Sequence, residues 1–443
     1  MGLVYRKPQY VPGGGTVDFG KVDIAKVLVV GSGGREHAIV DALSRSMQVE
    51  KIWCAPGNAG IAAQAECVPI SVNDTPALLK FAEENHVDLT VVGPEVPLAG
   101  GIVDAFTLAG RRIFGPSKAA AEIESSKDFA KHIMTKYGVP TAAYKTFTDY
   151  NEALAYVKAG SFPVVLKYDG LAAGKGVTIP QNLEQAEHDL RDMLLDDKFG
   201  EGKVVIEEFL TGPEFSLMAL VDGENVYPLA LAQDHKRAYE GDRGPNTGGM
   251  GAYTPLPMIS QEDMDWAVEH IMKPTAKGMV EEGIPFKGVL YGGLMKTPTG
   301  IKVIEFNCRF GDPETEVVLP VLESDFYSMA CAVADGTPMP PIKWSGKAAL
   351  GYVLASKGYP GSYEKGFPIE GLDDAAADPD VRIFHMGTKF DGDKVVTAGG
   401  RVLMVVGMGK DLAEARAKAQ AAVAKIHCDN LFFRKDIGHQ AFD

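Results

Sequence analysis

Short apolar runs separated by amphipathic stretches dominate the chain from Lys26 onward. Val27-Leu28-Val29-Val30 has no polar position, the pattern of a strand buried on both faces of a parallel sheet. Further runs at Lys51–Cys54, Leu89–Gly93 and Arg112–Gly115 predict strands, and Glu36–Ser44, Pro76–Glu84 and Gly101–Leu108 predict the helices between them. Strand–helix alternation with short links predicts an α/β unit over residues 26–126 built on a doubly wound parallel sheet. A second unit, 127–216, reads as strand Val164–Lys167, a glycine-rich turn, helix Leu183–Leu195 and strand Val204–Phe209. A third, 217–344, carries many short strand-like runs and the densest polar motifs, and Pro338, Pro340 and Pro341 punctuate its end. Residues 345–443 hold strand Arg401–Val406 and helix Asp411–Ile426, an α+β pattern. The helix stripe Leu412, Ala415, Ala419, Val423 and Ile426 reads as core.

Composition narrows the function classes. A chain of 443 residues exceeds one compact core and calls for several packed units. A net charge of −15 argues against nonspecific binding to nucleic acid or anionic membrane, while leaving room for a locally positive pocket. The five cysteines are scattered and form no CxxC pair, which fits a reducing compartment better than a disulfide framework or zinc site. No apolar run reaches the roughly 20 residues that span a bilayer. Residues 1–25, with Pro8, Pro12 and Gly13-Gly14-Gly15, lack a hydrophobic signal segment and read as a flexible extension, so a cytoplasmic protein is expected.

Several motifs carry chemistry. Gly31-Ser32-Gly33-Gly34-Arg35-Glu36-His37 joins a strand to a helix, where free N–H groups attract anions. The third glycine of a dinucleotide fingerprint falls on Glu36, and the later acid is replaced by Cys54, which disfavours a nicotinamide cofactor. Pro56-Gly57-Asn58 and Gly93-Pro94-Glu95 follow two further strands, so the three turns are expected to line one crevice at the carboxyl edge of the sheet. Lys167-Tyr168-Asp169-Gly170 runs into a small-residue loop ending Gly174-Lys175-Gly176, suited to folding over phosphates without being a Walker loop. Val204–Leu210 is an apolar strand ending in Glu207 and Glu208, followed by Glu214. Gln233-Asp234-His235-Lys236-Arg237 and the Gly244–Gly251 stretch around Asn246 form a polar middle. On the run Val303–Glu316, Glu305 and Asn307 fall on one strand face, a spacing suited to Mg²⁺, and Arg309 continues that face, able to clamp a carboxylate or phosphate.

In this order, GSGGREHAI, PGN, GPEVPL, VLKYDGLAAGKGV, QDHKR, GPNTGGMGAY, VIEFNCRFGDPETE and FRKDIG resemble the phosphoribosylamine–glycine ligases, ATP-grasp enzymes of purine synthesis, over about Lys26 to Gly438. The resemblance implies an N-terminal doubly wound domain, an ATP-grasp pair of domains and a small C-terminal α+β domain. It implies ATP and Mg²⁺ (or Mn²⁺), with glycine and 5-phosphoribosylamine as substrates of a monomer or homodimer. By the family pattern Lys127 and Lys167 contact ATP phosphates, and Gly170, Gly174 and Gly176 belong to a lid loop with Lys175. Glu207, Phe209 and Leu210 lie at the adenine, and Glu214 at its ribose. Glu305 and Asn307 hold the metal, Arg309 and Asp312 orient glycine, and Gly33, Asn58, Glu95, Asp234 and Asn246 face the substrates. The strand Tyr291-Gly292-Gly293-Leu294-Met295 lacks the further acid that many ATP-grasp enzymes carry there, leaving one metal or two open.

Overall fold

A computed structural model describes residues 24–170, 176–196 and 202–442. Strands β1 (Ala25–Gly31), β2 (Val49–Pro56), β3 (Glu66–Cys67), β4 (Leu89–Val92) and β5 (Ile113–Phe114) form one parallel sheet in the order β3-β2-β1-β4-β5. The apolar run of β1 lies at its centre with Val27 to Val30 fully buried, as its lack of polar positions requires. Strand order reverses between β1 and β4, so the turns after Gly31 and Val92 flank the switch point where such sheets bind ligands. The two-residue β3 has no legible run of its own and is absent from the sequence reading.

Strands β6 (Tyr144–Phe147), β7 (Val164–Tyr168), β8 (Val177–Thr178) and β9 (Val204–Glu208) make a small antiparallel sheet in the order β6-β9-β7-β8. Helices Tyr150–Ala159 and Leu183–Leu194 pack with it around Leu166, Leu190 and Ile206. Next come β10 (Glu214–Asp222) and β11 (Asn225–Pro228), then β12 (Gln233–Asp234), β13 (Arg237–Tyr239), β14 (Arg243–Asn246) and β15 (Gly251–Thr254). They are followed by β16 (Lys287–Thr297) and β17 (Gly300–Asn307). The sheet β11-β10-β16-β17 meets the small one through Lys167 of β7, whose Nζ donates to the Ile304 carbonyl of β17, and Val303 is bridged to Thr141, just ahead of β6.

The remaining strands are β18 (Ala348–Ser356), β19 (Val381–His385), β20 (Thr388–Asp391), β21 (Lys394–Thr397), β22 (Arg401–Gly409) and β23 (Leu431–Phe432). Their main sheet runs β12-β15-β18-β22-β19, so β12 and β15 from the polar middle are stitched into the C-terminal sheet. Helix Leu412–Val423 covers it with Leu412, Ala415, Ala419 and Val423 buried, as the stripe predicts, while Ile426 lies beyond the helix end and is half-buried. Among the described residues no helix is long and apolar enough to cross a membrane.

Candidate active site

The glycine-rich turn after β1 is shaped around a carboxylate of the protein itself. Glu36 Oε2 accepts from the Gly33 N–H at 2.8 Å, and its Oε1 accepts from Arg35 Nε at 2.7 Å. A Cβ on Gly93 would lie 1.9 Å from Glu36 Oε1, and one on Gly31 2.3 Å from Glu36 Cγ. Both glycines are therefore required by an internal side chain. The Gly33 N–H, which the sequence offered to an external anion, is taken up by this internal carboxylate. The Asn58 side chain is likewise engaged within the protein. Its Nδ2 donates to the Ser32 and His385 carbonyls (2.9 and 2.7 Å), and its Oδ1 accepts from the Gly60 and Ile61 N–H groups (3.0 and 2.9 Å). Every side-chain hydrogen-bonding position of Asn58 is used within the protein, one of them tying the crevice to the C-terminal sheet through His385.

Glu95 does reach the centre. It opens the short helix Glu95–Ala99, and its Oε2 accepts from Arg309 Nε at 3.3 Å. Arg309 lies past the end of β17, so its direction is set by its partners and not by the strand pleat. Its Nη2 donates to Glu124 Oε1 at 2.8 Å, and Glu124 Oε2 accepts from the Cys308 N–H at 2.8 Å. Burial opposes the Arg309 charge, and Glu124 and Glu95 more than offset it, raising its pKa. Glu124 escaped the sequence reading because nothing local distinguishes it from a solvated helix acid. Asp312, two residues into the next turn, lies 3.0 Å from Arg401 Nη2 of β22. Arg401 also donates to the Gly248 and Asp312 carbonyls at 2.8 and 3.1 Å, closing the site from the C-terminal side. It too was missed, since its partners lie about 90 and 150 residues away in the chain.

The second half of the site lies where the two antiparallel sheets meet. Ser126 caps the helix Lys127–Lys136, and Asp169 Oδ1 accepts from the Lys127 N–H at 2.5 Å, which lets Lys127 Nζ donate to the Gly170 carbonyl at 3.1 Å. Lys167 Nζ donates to the Ile304 carbonyl at 2.8 Å and sits 3.0 Å from Glu207 Oε2. The other oxygen of Glu207 lies 3.1 Å from Lys131, a residue the motifs did not single out. Burial pushes the Lys131 ammonium down to about 8 despite Glu207. The Glu207 carboxylate thus serves two lysines, and its backbone pairs with both β6 and β7. Phe209 and Leu210 lie just beyond β9, and Phe209 is 41% exposed. Gly212 follows with φ +141, where a Cβ would strike the Lys296 carbonyl at 2.1 Å, so only glycine fits this link between the sheets. Glu214 opens β10 and pairs with Lys236 at 3.2 Å.

Glu305 and Asn307 alternate onto one face of β17, as their spacing predicts. Burial pushes the Glu305 carboxyl up, but Lys236, Lys167, Lys127 and Arg309 together hold it below the ordinary range. With its nitrogen toward Glu124 Oε1 and the Phe306 carbonyl, both at 3.2 Å, the Asn307 amide turns its oxygen away from those acceptors. An ionised carboxylate and an amide oxygen on one face fit a hard divalent cation. Among the described residues no group of three or more His, Cys, Asp or Glu surrounds one point, so such a cation would take its other ligands from phosphate and water. Gly293 stands opposite Glu305 in the β16–β17 ladder, and that strand supplies no second carboxylate. Burial raises the Asp234 carboxyl to about 7, with Lys236 opposing and Glu314 and Glu214 adding to the rise. Glu314 is buried and accepts from the Tyr291 hydroxyl at 2.8 Å. His235 is packed between Tyr253 and His439 and accepts from the Gly438 N–H at 3.1 Å, a structural role. Asn246 is exposed on the β13–β14 hairpin opposite Arg237. Gly176 is ordered, its carbonyl accepting from the Tyr168 N–H at 2.7 Å, while Gly174 and Lys175 fall outside the described residues.

Comparison with known proteins accounts for nearly the whole described chain. Residues 25–124 match the family model for the phosphoribosylglycinamide synthetase N domain, 125–315 that for its ATP-grasp (A) domain, and 349–440 that for its C domain. The phosphoribosylamine–glycine ligase of Halalkalibacterium halodurans is 53% identical over 417 residues, covering 94% of this chain and 97% of the relative. That of Listeria monocytogenes serotype 4b is 54% identical over 420 residues, covering 94% and 99%. The crystal structure of the phosphoribosylamine–glycine ligase from Thermotoga maritima superposes with a TM-score of 0.83 at 35% identity, covering 93% of this chain and 100% of that one. The biotin carboxylase domain of a Hydrogenobacter thermophilus 2-oxoglutarate carboxylase, at 16% identity and a TM-score of 0.72 over 92% of this chain and 91% of that one, shares the fold alone. By sequence and by architecture, this chain belongs to the phosphoribosylglycinamide synthetase family.

Proposed function

We propose that the chain joins glycine to 5-phosphoribosylamine with cleavage of ATP to ADP, in the cleft where the lysines around Glu305 meet the Arg309–Asp312 turn. That convergence of a phosphate-neutralising cluster with a paired arginine and carboxylate is the observation that carries the reading. Membership of the family and the names of its relatives support it.

ATP lies between the residues 127–216 and 217–344, with Lys127 and Lys167 toward its phosphates. Phe209 and Leu210 take the adenine, and Glu214 takes the ribose. Glu207 contributes by holding Lys131 and Lys167 in place. Glu305 and Asn307 would hold Mg²⁺, or Mn²⁺ in its stead, which when bound neutralises phosphate oxygens. A glycine carboxylate oxygen attacks the γ-phosphorus, the bond to the β,γ-bridging oxygen breaks, and ADP leaves glycyl phosphate behind. The amine of phosphoribosylamine then attacks the glycyl carbonyl, phosphate departs with the C–O electron pair, and the amine sheds a proton as the amide forms. Positioning and charge neutralisation supply the catalysis. Arg309 faces the glycine carboxylate and Asp312 its ammonium, while Gly33, Glu95 and Asp234 line the amine's approach. The loop from Gly170 to Gly176, with Lys175, closes over the phosphates to keep water from the acyl phosphate. The enzyme works in the cytoplasm as a monomer or homodimer.

The test is ADP formation with ATP, Mg²⁺ and glycine, with and without phosphoribosylamine generated in situ from ribose 5-phosphate and ammonia. ADP release requiring both glycine and the amine, with the amide seen by mass, is expected. Turnover with a different acid or amine instead would remove this substrate assignment.

A further inference from the structure

The short helix Thr315–Val318 buries Glu316 completely, at 0% exposure, against the turn that carries Asp312. Neither oxygen of Glu316 has a well-aligned hydrogen-bond donor, and Asp312 Oδ1, though 3.0 Å from an Arg401 nitrogen, is outside hydrogen-bonding geometry; the nearby backbone N–H groups are those of Glu316 itself and of Arg35. The two carboxyl groups lie within hydrogen-bonding reach of each other. Space for Glu316 is made by Gly34, where a Cβ would come within 2.5 Å of Glu316 Oε1. The charged groups facing the pair are Arg401 from β22, Arg35 from the first helix, and Glu314 and Tyr359 by way of Arg401. Two neighbouring buried carboxylates, with three of their oxygens lacking a well-aligned donor, would be costly to ionise together, and one O–H between them relieves both the repulsion and the deficit.

We propose that Glu316 carries a proton at neutral pH and donates it to Asp312, so that Glu316 is the positioning residue that fixes the Asp312 carboxylate beside Arg401. Asp312 keeps its charge because Arg401 and Arg35 face it and offset its burial, and Glu316, where burial and Asp312 dominate, keeps the proton. The bearing of this device on glycine rests on the role given to Asp312 above, whereas the proton itself does not.

The linkage has a definite sign. The buried carboxyl is raised well above 4.5, so above that pH the folded chain holds a proton that the unfolded chain releases, and stability falls as pH rises. Glu316→Gln offers Asp312 the same donor without titrating. The thermal midpoint of wild type relative to E316Q should therefore fall steadily as pH rises from 4.5. The infrared difference between the two proteins at neutral pH should show the carbonyl stretch of an un-ionised carboxyl in wild type. E316Q should keep kcat/KM for glycine within about twofold, and Glu316→Met should lower it about tenfold through loss of one hydrogen bond. A constant midpoint gap, absence of the infrared band, or failure of E316Q to fold overturns the proposal. If wild type shows no glycine-dependent turnover, the functional reading fails while the midpoint and infrared measurements still decide the proton.

Discussion

At the scale of single residues, the site is governed by which charges have partners. Arg309 is 16% exposed and held between Glu95 and Glu124. Arg309→Ala strands two acids and is expected to cost about 3–5 kcal/mol of stability, seen in denaturant unfolding. Arg309→Lys keeps the charge but loses the fork. It should fold and still lower kcat/KM for glycine about 100-fold, and an unchanged value would remove Arg309 from the glycine site. Glu305→Gln removes the only anion on β17, on the face proposed to hold the metal. Turnover should fall about 100-fold or more, with a higher Mg²⁺ concentration needed for half-maximal rate. Asn58 gives the opposite pattern. Asn58→Ala should lower the thermal midpoint, at about 1–3 kcal/mol for each buried partner left without a bond, while the KM for phosphoribosylamine stays put. A raised KM with an unchanged midpoint would return Asn58 to the substrate.

Individual elements matter through what their ends present. The turns after β1 and β4 hold Glu36 between Gly31 and Gly93, so the strand ends are locked to the first helix by a carboxylate. Gly93→Ala places a methyl 1.9 Å from Glu36 Oε1 and should destabilise by about 1–3 kcal/mol in denaturant titration. Combining it with Glu36→Ala should recover part of the packing loss, and full additivity of the two would mean that the glycine is needed for another reason. The motifs here were legible as strand–glycine–helix turns, but their occupant was not. A glycine reports that something comes close, and sequence does not say whether that is a ligand or a side chain three residues on.

Across the whole molecule, buried neutral histidines join the first helix of the N-terminal unit to the C-terminal sheet. The His385 N–H donates to His37 Nδ1 at 2.8 Å, and burial lowers the two rings to about 3 and about 4. Both folded values lie below the ordinary 6.5, so the unfolded chain binds protons first as pH falls. The stability they confer is complete above 6.5 and drains away toward 4, on the order of 3 kcal/mol for each ring. Thermal midpoints measured across that window should drop steeply, and a flat profile would show that the rings accept protons without unfolding.

Local pattern was enough for the parallel N-terminal sheet, because buried strands must be apolar and the links between them must turn. It was enough for Glu305 and Asn307, because strand pleat puts alternate residues on one face. It was also enough to place Lys167 on a strand of the small sheet, whereas Lys127, at the start of a helix, entered only through the family resemblance. Glu124, Lys131, Arg401 and Glu316 were decided only by the folded chain. Each looks like an ordinary solvated or core residue in its own stretch, and each acquires its role from a partner brought near by packing. Arg401 meets Asp312 across 89 positions, and Glu207 joins Lys131 to Lys167 through two different strands. Strand periodicity is a property of neighbours in sequence. Charge compensation in a buried cleft is a property of neighbours in space, and only the tertiary structure supplies those.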